Sequence, residues 1–435
     1  MKRLNGDDPA LFDQLGPALA AAARDPEVES SVAAIVEQVR AEGDGGLLAL
    51  TERFDGATLL PADLRVPVED LVAARESLTP EERDAIEEAR ANVLAFHQQE
   101  RPRNWTVKNP HGGLVGERHY PIRRTGIYVP GGQVPLVSTV IMTTTLAKAA
   151  GVPQIAVTTP PQPDGSIEPA LLAALSFCGV DEVYKAGGAQ AIAALAHGTE
   201  SIPAVDKIFG PGNAYVNEAK RQVFGIVGID LLPGPSEVLV LADETARPPY
   251  VAAALLAQAE HGSGKENVFL VSTCSSIIER SLQAIEEQIE NLKHQEAIRR
   301  SLDNGLHVIE TSSLERAAEI ADFIAPEHME LQVEEAKLDD LCASITTAGA
   351  ILLGHDSPTV LGDFAAGPSH VLPTGRAARF SSGLRLSDFL RRSGVIRYDL
   401  SALQKAQPVI SRFSSMEQLD AHGASLEVRL THRPN

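Results

Sequence analysis

Apolar positions along the chain change period several times. In "EVESSVAAIVEQVRAEGDGG" they recur at helical spacing and stop at glycine. "TPEERDAIEEARANVLAFHQQE" opens with Thr79 as a cap, Pro80 in the first turn and Glu82 three residues after the cap, so it predicts a second helix. The first hundred residues therefore read as helices with little visible chemistry. From Tyr128 short apolar runs alternate with helical stretches. "PQIAVTTPP", "DEVYKAGG", "VDKIFGPG" and "SEVLVLAD" predict strands. "LVSTVIMTTTLAKAAG", "AQAIAALAHG" and "NAYVNEAKRQVFG" predict the helices between them. The alternation resumes with the helix "PPYVAAALLAQAEHG", the strands "NVFLVST", "LHVIETS" and "AGAILLG", and the helix "LERAAEIADFIAPEH".

This pattern predicts an α/β protein with two Rossmann-like parallel-sheet domains and small N- and C-terminal extensions. The expected division is an extension over 1–25, a first α/β domain from 26–127 with 237–384, a second over 128–236, and a C-terminal module over 385–435 with less sheet patterning. A length of 435 residues accommodates this, and the scarcity of aromatics (4%) suits aliphatic helix-on-sheet cores. The net charge, 38 − 58 = −20, argues against nucleic acid or an anionic membrane as partner. No apolar run reaches bilayer length, and the N-terminal residues lack a secretory pattern. Cys178, Cys274 and Cys342 are far apart and form no thiolate metal motif. A cytoplasmic protein is expected.

No GxGxxG occurs, so the nucleotide-binding fingerprint is incomplete. Three glycine turns at strand–helix junctions stand in its place: "PGG" at 130–132, "GGAQ" at 187–190 and "GPGN" at 210–213. Such turns present backbone N–H groups to an anion, and they are also ordinary strand-to-helix connections. Gln258 and His261 in "QAEHG" share a helix face near its C-terminal end, where a cation is favoured. Two side chains do not make a zinc site, and a helix-end histidine beside a surface glutamine is the plainer reading. "APEHMELQ" sets Glu327 beside His328 at an expected helix end, a possible acid and base. "GDFAAGPSH" puts Asp363 and His370 in an expected loop after a strand, where α/β proteins bind ligands. "MEQLDAHG" offers Glu417 and His422, which alone read as surface groups. The run "ERHYPIRR" is a small basic patch. Ser138 and Ser236 lie in no GxSxG elbow, which leaves a serine hydrolase without support.

With these residues collected, the chain resembles the histidinol dehydrogenase family. The resemblance runs through "RTGIYVPGG", "GGAQAIAALAHGTESIPAVDKIFGPGNAYVNEAKRQVFGIVGID", "GPSEVLVLAD", "LLAQAEHG", "APEHMELQ", "GPSHVLPT" and "ARFSSGL". It implies oxidation of L-histidinol through L-histidinaldehyde to L-histidine, the last steps of histidine biosynthesis. It also implies two NAD and one zinc ion per subunit. Zinc would be held by Gln258, His261, Asp363 and His422. Glu327 and His328 would be catalytic. The substrate would meet Ser236, Gln258, His261, Glu327, His328, Asp363, His370, Glu417 and His422, and NAD would meet Tyr128, Gln190 and Asn213. The family forms homodimers whose C-terminal module reaches the partner's site, which implies that Glu417 and His422 act across subunits. The sequence departs from common family text at Ala254 (often aspartate), Ser369 (often asparagine), and Gly423 and Ala424 in the tail. None of these is a ligand or acid–base residue. A relative that oxidises another amino- or sulfo-substituted primary alcohol is the alternative reading. A metal-dependent hydrolase would turn over without NAD, and a non-catalytic interaction protein would not need the polar set.

Overall fold

The computed structural model describes residues 1–19, 25–131 and 136–432, with nothing described of the Ala18 side chain. The strands in chain order are β1 (Lys2–Asn5), β2 (Trp105–Lys108), β3 (Leu114–Pro121), β4 (Arg124–Tyr128), β5 (Gln154–Thr159), β6 (Val183–Lys185), β7 (Lys207–Phe209), β8 (Gly228–Ile229), β9 (Glu237–Ala242), β10 (Asn267–Ser272), β11 (Leu306–Glu310), β12 (His328–Gln332), β13 (Ala350–Leu353) and β14 (Leu390–Arg397). They form two parallel sheets, ordered β6-β5-β4-β7-β8 and β1-β11-β10-β9-β12-β13, and an antiparallel sheet ordered β14-β3-β2.

Setting β1 aside, the two parallel sheets share one winding. The first strand of each is central, the next two add to one side, and the last two add to the other. The order reverses between β4 and β7 in one sheet and between β9 and β12 in the other. β4, β9 and β10 are buried along nearly their whole length, as expected of strands covered on both faces. The predicted strands and the two α/β sheets are thus present.

The grouping of the flanks differs from the expected division. β1 pairs with β11, so the N-terminal residues are an edge strand of the six-stranded sheet. Helix Leu11–Leu19 packs on helix Leu314–Ile324 of that same domain. Helices Pro26–Glu42, Val68–Glu76 and Pro80–Gln98 pack instead on helices of the five-stranded domain. The chain at 64–66 also bonds to β6, through Val66 N–H to Val183 and Lys185 N–H to Leu64. Each of these helices buries one apolar stripe, and the faces open to it belong to the five-stranded sheet's own helices. The capping box at Thr79 is formed as expected, with Thr79 Oγ1 accepting from Glu82 N–H at 3.2 Å.

The C-terminal region carries more sheet than its patterning suggests. β14 pairs antiparallel with β3 from Leu390↔Pro121 to Arg397↔Leu114. Most of its residues are exposed, so it lacks the alternation that marks a half-buried strand. Just before it, Phe389 is fully buried and stacks on Phe209 of β7, with ring centroids 3.9 Å apart. Lys207 Nζ donates to the Asp388 carbonyl at 2.8 Å beside that stack. Helices Leu400–Met416 and Asp420–Thr431 follow and pack on one another.

Phe389 therefore anchors the C-terminal module to the five-stranded sheet. The variant F389A is expected to lose about 3–5 kcal/mol through cavity formation. Chemical denaturation followed by tryptophan fluorescence should show the lower midpoint, and an unchanged midpoint would remove Phe389 from the core.

Candidate active site

The candidate ligand groups lie on the C-terminal strand edge in only one of the two sheets. Tyr128 is the last residue of β4, and the turns beginning at Gly187 and Gly210 follow β6 and β7. This is the C-terminal edge of the five-stranded sheet. Glu237 and His328, by contrast, are the first residues of β9 and β12, on the N-terminal edge of the six-stranded sheet. Among the described residues, hydrogen bonds reach from the six-stranded domain's side to its neighbour, one of them from Asn92 Nδ2 to the Ala365 carbonyl at 2.9 Å. His370 Nε2 is 3.1 Å from Ser138 Oγ, at the start of helix Val137–Ala150. Thr374 Oγ1 accepts from Gly234 N–H.

Glu327 and His328 were expected at a helix end. The helix stops earlier, at Ile324, because Ala325 takes a left-handed conformation (φ 51°) and Pro326 cannot continue it. "HMELQ" then pairs with β9 and β13, so His328 opens a strand. Asp363 was expected in a loop but lies in the short helix Thr359–Phe364. These elements bring three side chains together. His328 Nδ1 is 3.7 Å from Glu327 Oε2, and Nε2 is 3.5 Å from Asp363 Oδ1.

Burial governs the electrostatics here. Glu327 is pushed up to about 7 by removal from water, even though His328 and a backbone donor favour its charge. That donor is Glu237 N–H, 2.9 Å from Glu327 Oε2. Glu237 is pushed up to about 7 as well, first by burial and then by the charge of Glu327. Burial opposes a charge on His328, but Glu327 and Asp363 outweigh it and raise the imidazole above its ordinary value. Burial likewise acts to raise Asp363, and His328, His370 and His261 overcome it and hold the carboxyl below its usual range. Burial keeps His370 low. Both ring nitrogens of His328 are buried without a hydrogen-bond partner, as are Glu237 Oε2 and Gln258 Nε2. Such orphans are uncommon and suit atoms that await a ligand.

Gln258 lies in the last turn of helix Pro248–Ala259 and is 3% exposed. His261 follows in the turn closed by His261 N–H on the Gln258 carbonyl, at 3.3 Å. It is near enough for its charge to act on Asp363 and His370. Ser236 precedes β9, and its carbonyl accepts from Asn267 N–H at 3.1 Å. Glu417 and His422 stand apart on the C-terminal helix pair. They line a cleft of about 190 Å³ with Val409, Ile410, Phe413 and Leu419. Among the described residues, no hydrogen bond or ion pair joins them to Asp363, His261 or His328. No three His, Cys, Asp or Glu side chains among the described residues form a group that could hold a metal ion. Gln258 and His261 stand together at the end of helix Pro248–Ala259, and the charge of His261 reaches Asp363.

On the opposite edge, Tyr128 is buried and its hydroxyl accepts from Gly188 N–H at 3.3 Å. Burial pushes that phenol up to about 12. Gln190 is 1% exposed, and its Nε2 donates to Asp55 Oδ2 at 3.3 Å. Asn213 Oδ1 caps helix Ala214–Val223, accepting from Tyr215 and Val216 N–H at 3.0 and 3.1 Å. Gly132 of the first glycine turn lies outside the described residues. Asp55 and Glu237 are polar groups of the two edges that sequence reading passes over. Asp55 ends an unremarkable helix, and Glu237 reads as the first residue of a strand. The departures from family text have local settings. Ala254 is buried within its helix, and Ser369 Oγ accepts from Val371 N–H at 3.3 Å. A side chain on Gly423 would begin 2.9 Å from Ser414 Oγ, where the two C-terminal helices meet.

A family model for histidinol dehydrogenase matches residues 20–430. The histidinol dehydrogenase of Syntrophotalea carbinolica is 42% identical over 431 residues, 99% of each chain. That of Ruegeria pomeroyi is 42% identical over 421 residues, 96% of each. The crystal structure of histidinol dehydrogenase from Elizabethkingia anophelis superposes with a TM-score of 0.93 at 35% identity, covering 99% of this chain and 98% of that one. An acetylating aldehyde dehydrogenase from Geobacillus thermoglucosidasius, 15% identical with a TM-score of 0.50 over 87% of this chain and 99% of that one, shares the fold alone. Near-complete coverage at such identity leaves one assignment, and the chain belongs to the histidinol dehydrogenase family.

Proposed function

We propose that this chain is a zinc-dependent, NAD-linked histidinol dehydrogenase of the cytoplasm. It carries L-histidinol through L-histidinaldehyde to L-histidine with two NAD, closing histidine biosynthesis. The observation that carries the reading is the buried group of Glu327, His328 and Asp363, with both imidazole nitrogens free of hydrogen bonds. Family membership supplies the substrate. Among the described residues no helix is long and apolar enough to cross a membrane, and this accords with the reading.

Gln258, His261 and Asp363 would hold zinc from one subunit, with His422 supplied by the partner. The Asp363 carboxylate, held ionised among three histidines, fits such a cation, and the buried Gln258 would ligate through its amide oxygen. The C-terminal helix pair supports a dimer. It leaves Phe413 54% and Met416 69% exposed, apolar surface that a second copy would cover. When bound, zinc would orient the amino and imidazole nitrogens of the substrate, and the nicotinamide would accept one hydride in each oxidation.

The chain's own residues manage the protons. His328 takes the hydroxyl proton of the alcohol as its C–H hydride leaves. Imidazole suits this because it gains and loses protons near neutrality. Glu327, balanced near pH 7, accepts a proton as water adds to the aldehyde, while the protonated His328 returns its proton to the carbonyl oxygen, which gives the gem-diol and a neutral imidazole. His328 then removes the proton of the gem-diol in the second oxidation. Ser236, His370 and the partner's copy of the Glu417 position would contact the substrate. Tyr128, Gln190 and Asn213 lie at the cofactor edge. A substrate held through two oxidations needs a closed site, which a donated tail would provide.

Three outcomes test this reading. Purified protein given histidinol and NAD should form two NADH per histidine. H328A should lower turnover by about 10²–10⁴-fold while keeping its metal, and full activity in H328A would refute the role. H422A should lose zinc, as measured by elemental analysis, and full occupancy would refute a site shared between subunits. A further test concerns stability. Glu327 keeps its proton in the fold up to about pH 7, whereas the unfolded chain releases it near its ordinary 4.5. The folded protein thus binds more protons across that window, and stability falls as pH rises from about 4.5 to 7. With chelator present, the stability of E327Q relative to the parent should rise through that interval and level off above it. Urea unfolding at several pH values measures this, and parallel profiles would show that Glu327 is not the group responsible.

A further inference from the structure

We infer that Lys220 and Asp230 are positioning residues for the dinucleotide, a buried ion pair that grips both polar groups of Gly210 and so fixes the turn Gly210–Asn213. The inference rests on the reading of this edge as the NAD site.

The Lys220 side chain is 0% exposed and that of Asp230 is 2% exposed. Lys220 projects from helix Ala214–Val223, and Asp230 directly follows β8. Lys220 Nζ donates to the Gly210 carbonyl at 2.9 Å and to Asp230 Oδ1. The other oxygen, Asp230 Oδ2, accepts from Gly210 N–H at 2.7 Å. One charged pair therefore holds the peptide groups on both sides of a single glycine. Gly210 itself has φ +112°, and a β-carbon there would collide with the Tyr128 carbonyl. Only glycine allows the turn to press against the end of β4. Asn217, one helical turn before Lys220, adds a second tie through Nδ2 to the carbonyls of Gly212 and Pro233.

Two opposite charges taken wholly out of water are an expensive way to fill a core, since apolar side chains of similar volume often serve as well or better. The pair does what apolar groups cannot, which is to orient a carbonyl and an amide. It does so where strand order reverses between β4 and β7, the crevice in which open parallel sheets bind nucleotides. A turn ordered in advance spares the ligand the cost of ordering it.

The double variant K220M/D230N removes both charges, while the carboxamide oxygen it introduces can still accept from Gly210 N–H. N217S loosens the second tie without burying a charge, so it decides the matter alone should the double variant not fold. Each is expected to raise KM for NAD and the dissociation constant of NADH, read from its fluorescence, by about tenfold. Each should leave KM for the alcohol and kcat at saturating NAD within about twofold. A lower thermal midpoint with unchanged NADH binding would make the pair merely structural and overturn the inference. Equal rises in both KM values would overturn it too. Failure of the parent protein to bind NADH would overturn the cofactor reading, and the clamp with it, whereas a parent that binds NADH beside unaltered variants would overturn the clamp alone.

Discussion

Glu327 lies where β9 and β12 begin, too deep for water to stabilise its charge and too close to His328 to be simply neutral. That conflict constrains the surrounding residues. The Glu237 amide is turned onto one oxygen of Glu327, and Asp363 approaches the far side of the imidazole. Register makes this possible, because His328 pairs with both Val238 and Ala350 and so starts level with its neighbours. Gly349, just before β13, would set a β-carbon 2.5 Å from the Glu327 carbonyl. The backbone around the carboxyl is therefore packed as tightly as its side chain, and the group is held in position by the sheet rather than by a loop.

The same constraint explains why the two domains are alike in winding yet use opposite ends of their sheets. In the five-stranded domain, backbone turns after β6 and β7 supply the polar surface, as open parallel sheets commonly do. In the six-stranded domain the candidate groups are side chains at strand starts and at the C-terminal end of helix Pro248–Ala259. Joined through His370 and Ser138, the two edges bring an anion-friendly rim against a rim of imidazoles and carboxyls.

Much of this was legible in the sequence because apolar periodicity survives in buried parallel strands, and "SEVLVLAD" and "NVFLVST" show it without ambiguity. The glycine turns were legible for a related reason, since Gly210 has no substitute at its backbone angle. Other features were hidden by what sequence cannot express. "APEHMELQ" reads as a helix tail until the left-handed Ala325 is seen, a conformation that nothing in an alanine announces. β14 is mostly exposed and its antiparallel partner β3, far away in the chain, is mostly half-buried, so neither carries a fully buried face to betray it. Asp55, Glu237 and Lys220 belong to no motif, because their roles arise from segments distant in the chain. Gln258, His261, Asp363 and His422 were reached as a set only through resemblance, their spacing being far too wide for any local signature.

The hydrogen-bond accounting separates the two edges further. On the five-stranded edge the polar atoms are largely paired: Tyr128 with Gly188, Gln190 with Asp55, Asn213 with its own helix, and Gly210 with Lys220 and Asp230. On the six-stranded edge Gln258 Nε2 and an oxygen of Glu237 are buried without hydrogen bonds, and the nitrogens of His328 have only long approaches to Glu327 and Asp363. A paired surface offers a ligand a shape, and little is lost when the ligand departs. An unpaired buried surface strains until a ligand satisfies it, and it resists giving that ligand up. The proposed reaction, which would exchange its nicotinamide midway while keeping its aldehyde, calls for this asymmetry, with loose, pre-ordered contacts for what is replaced and unmet contacts for what must stay.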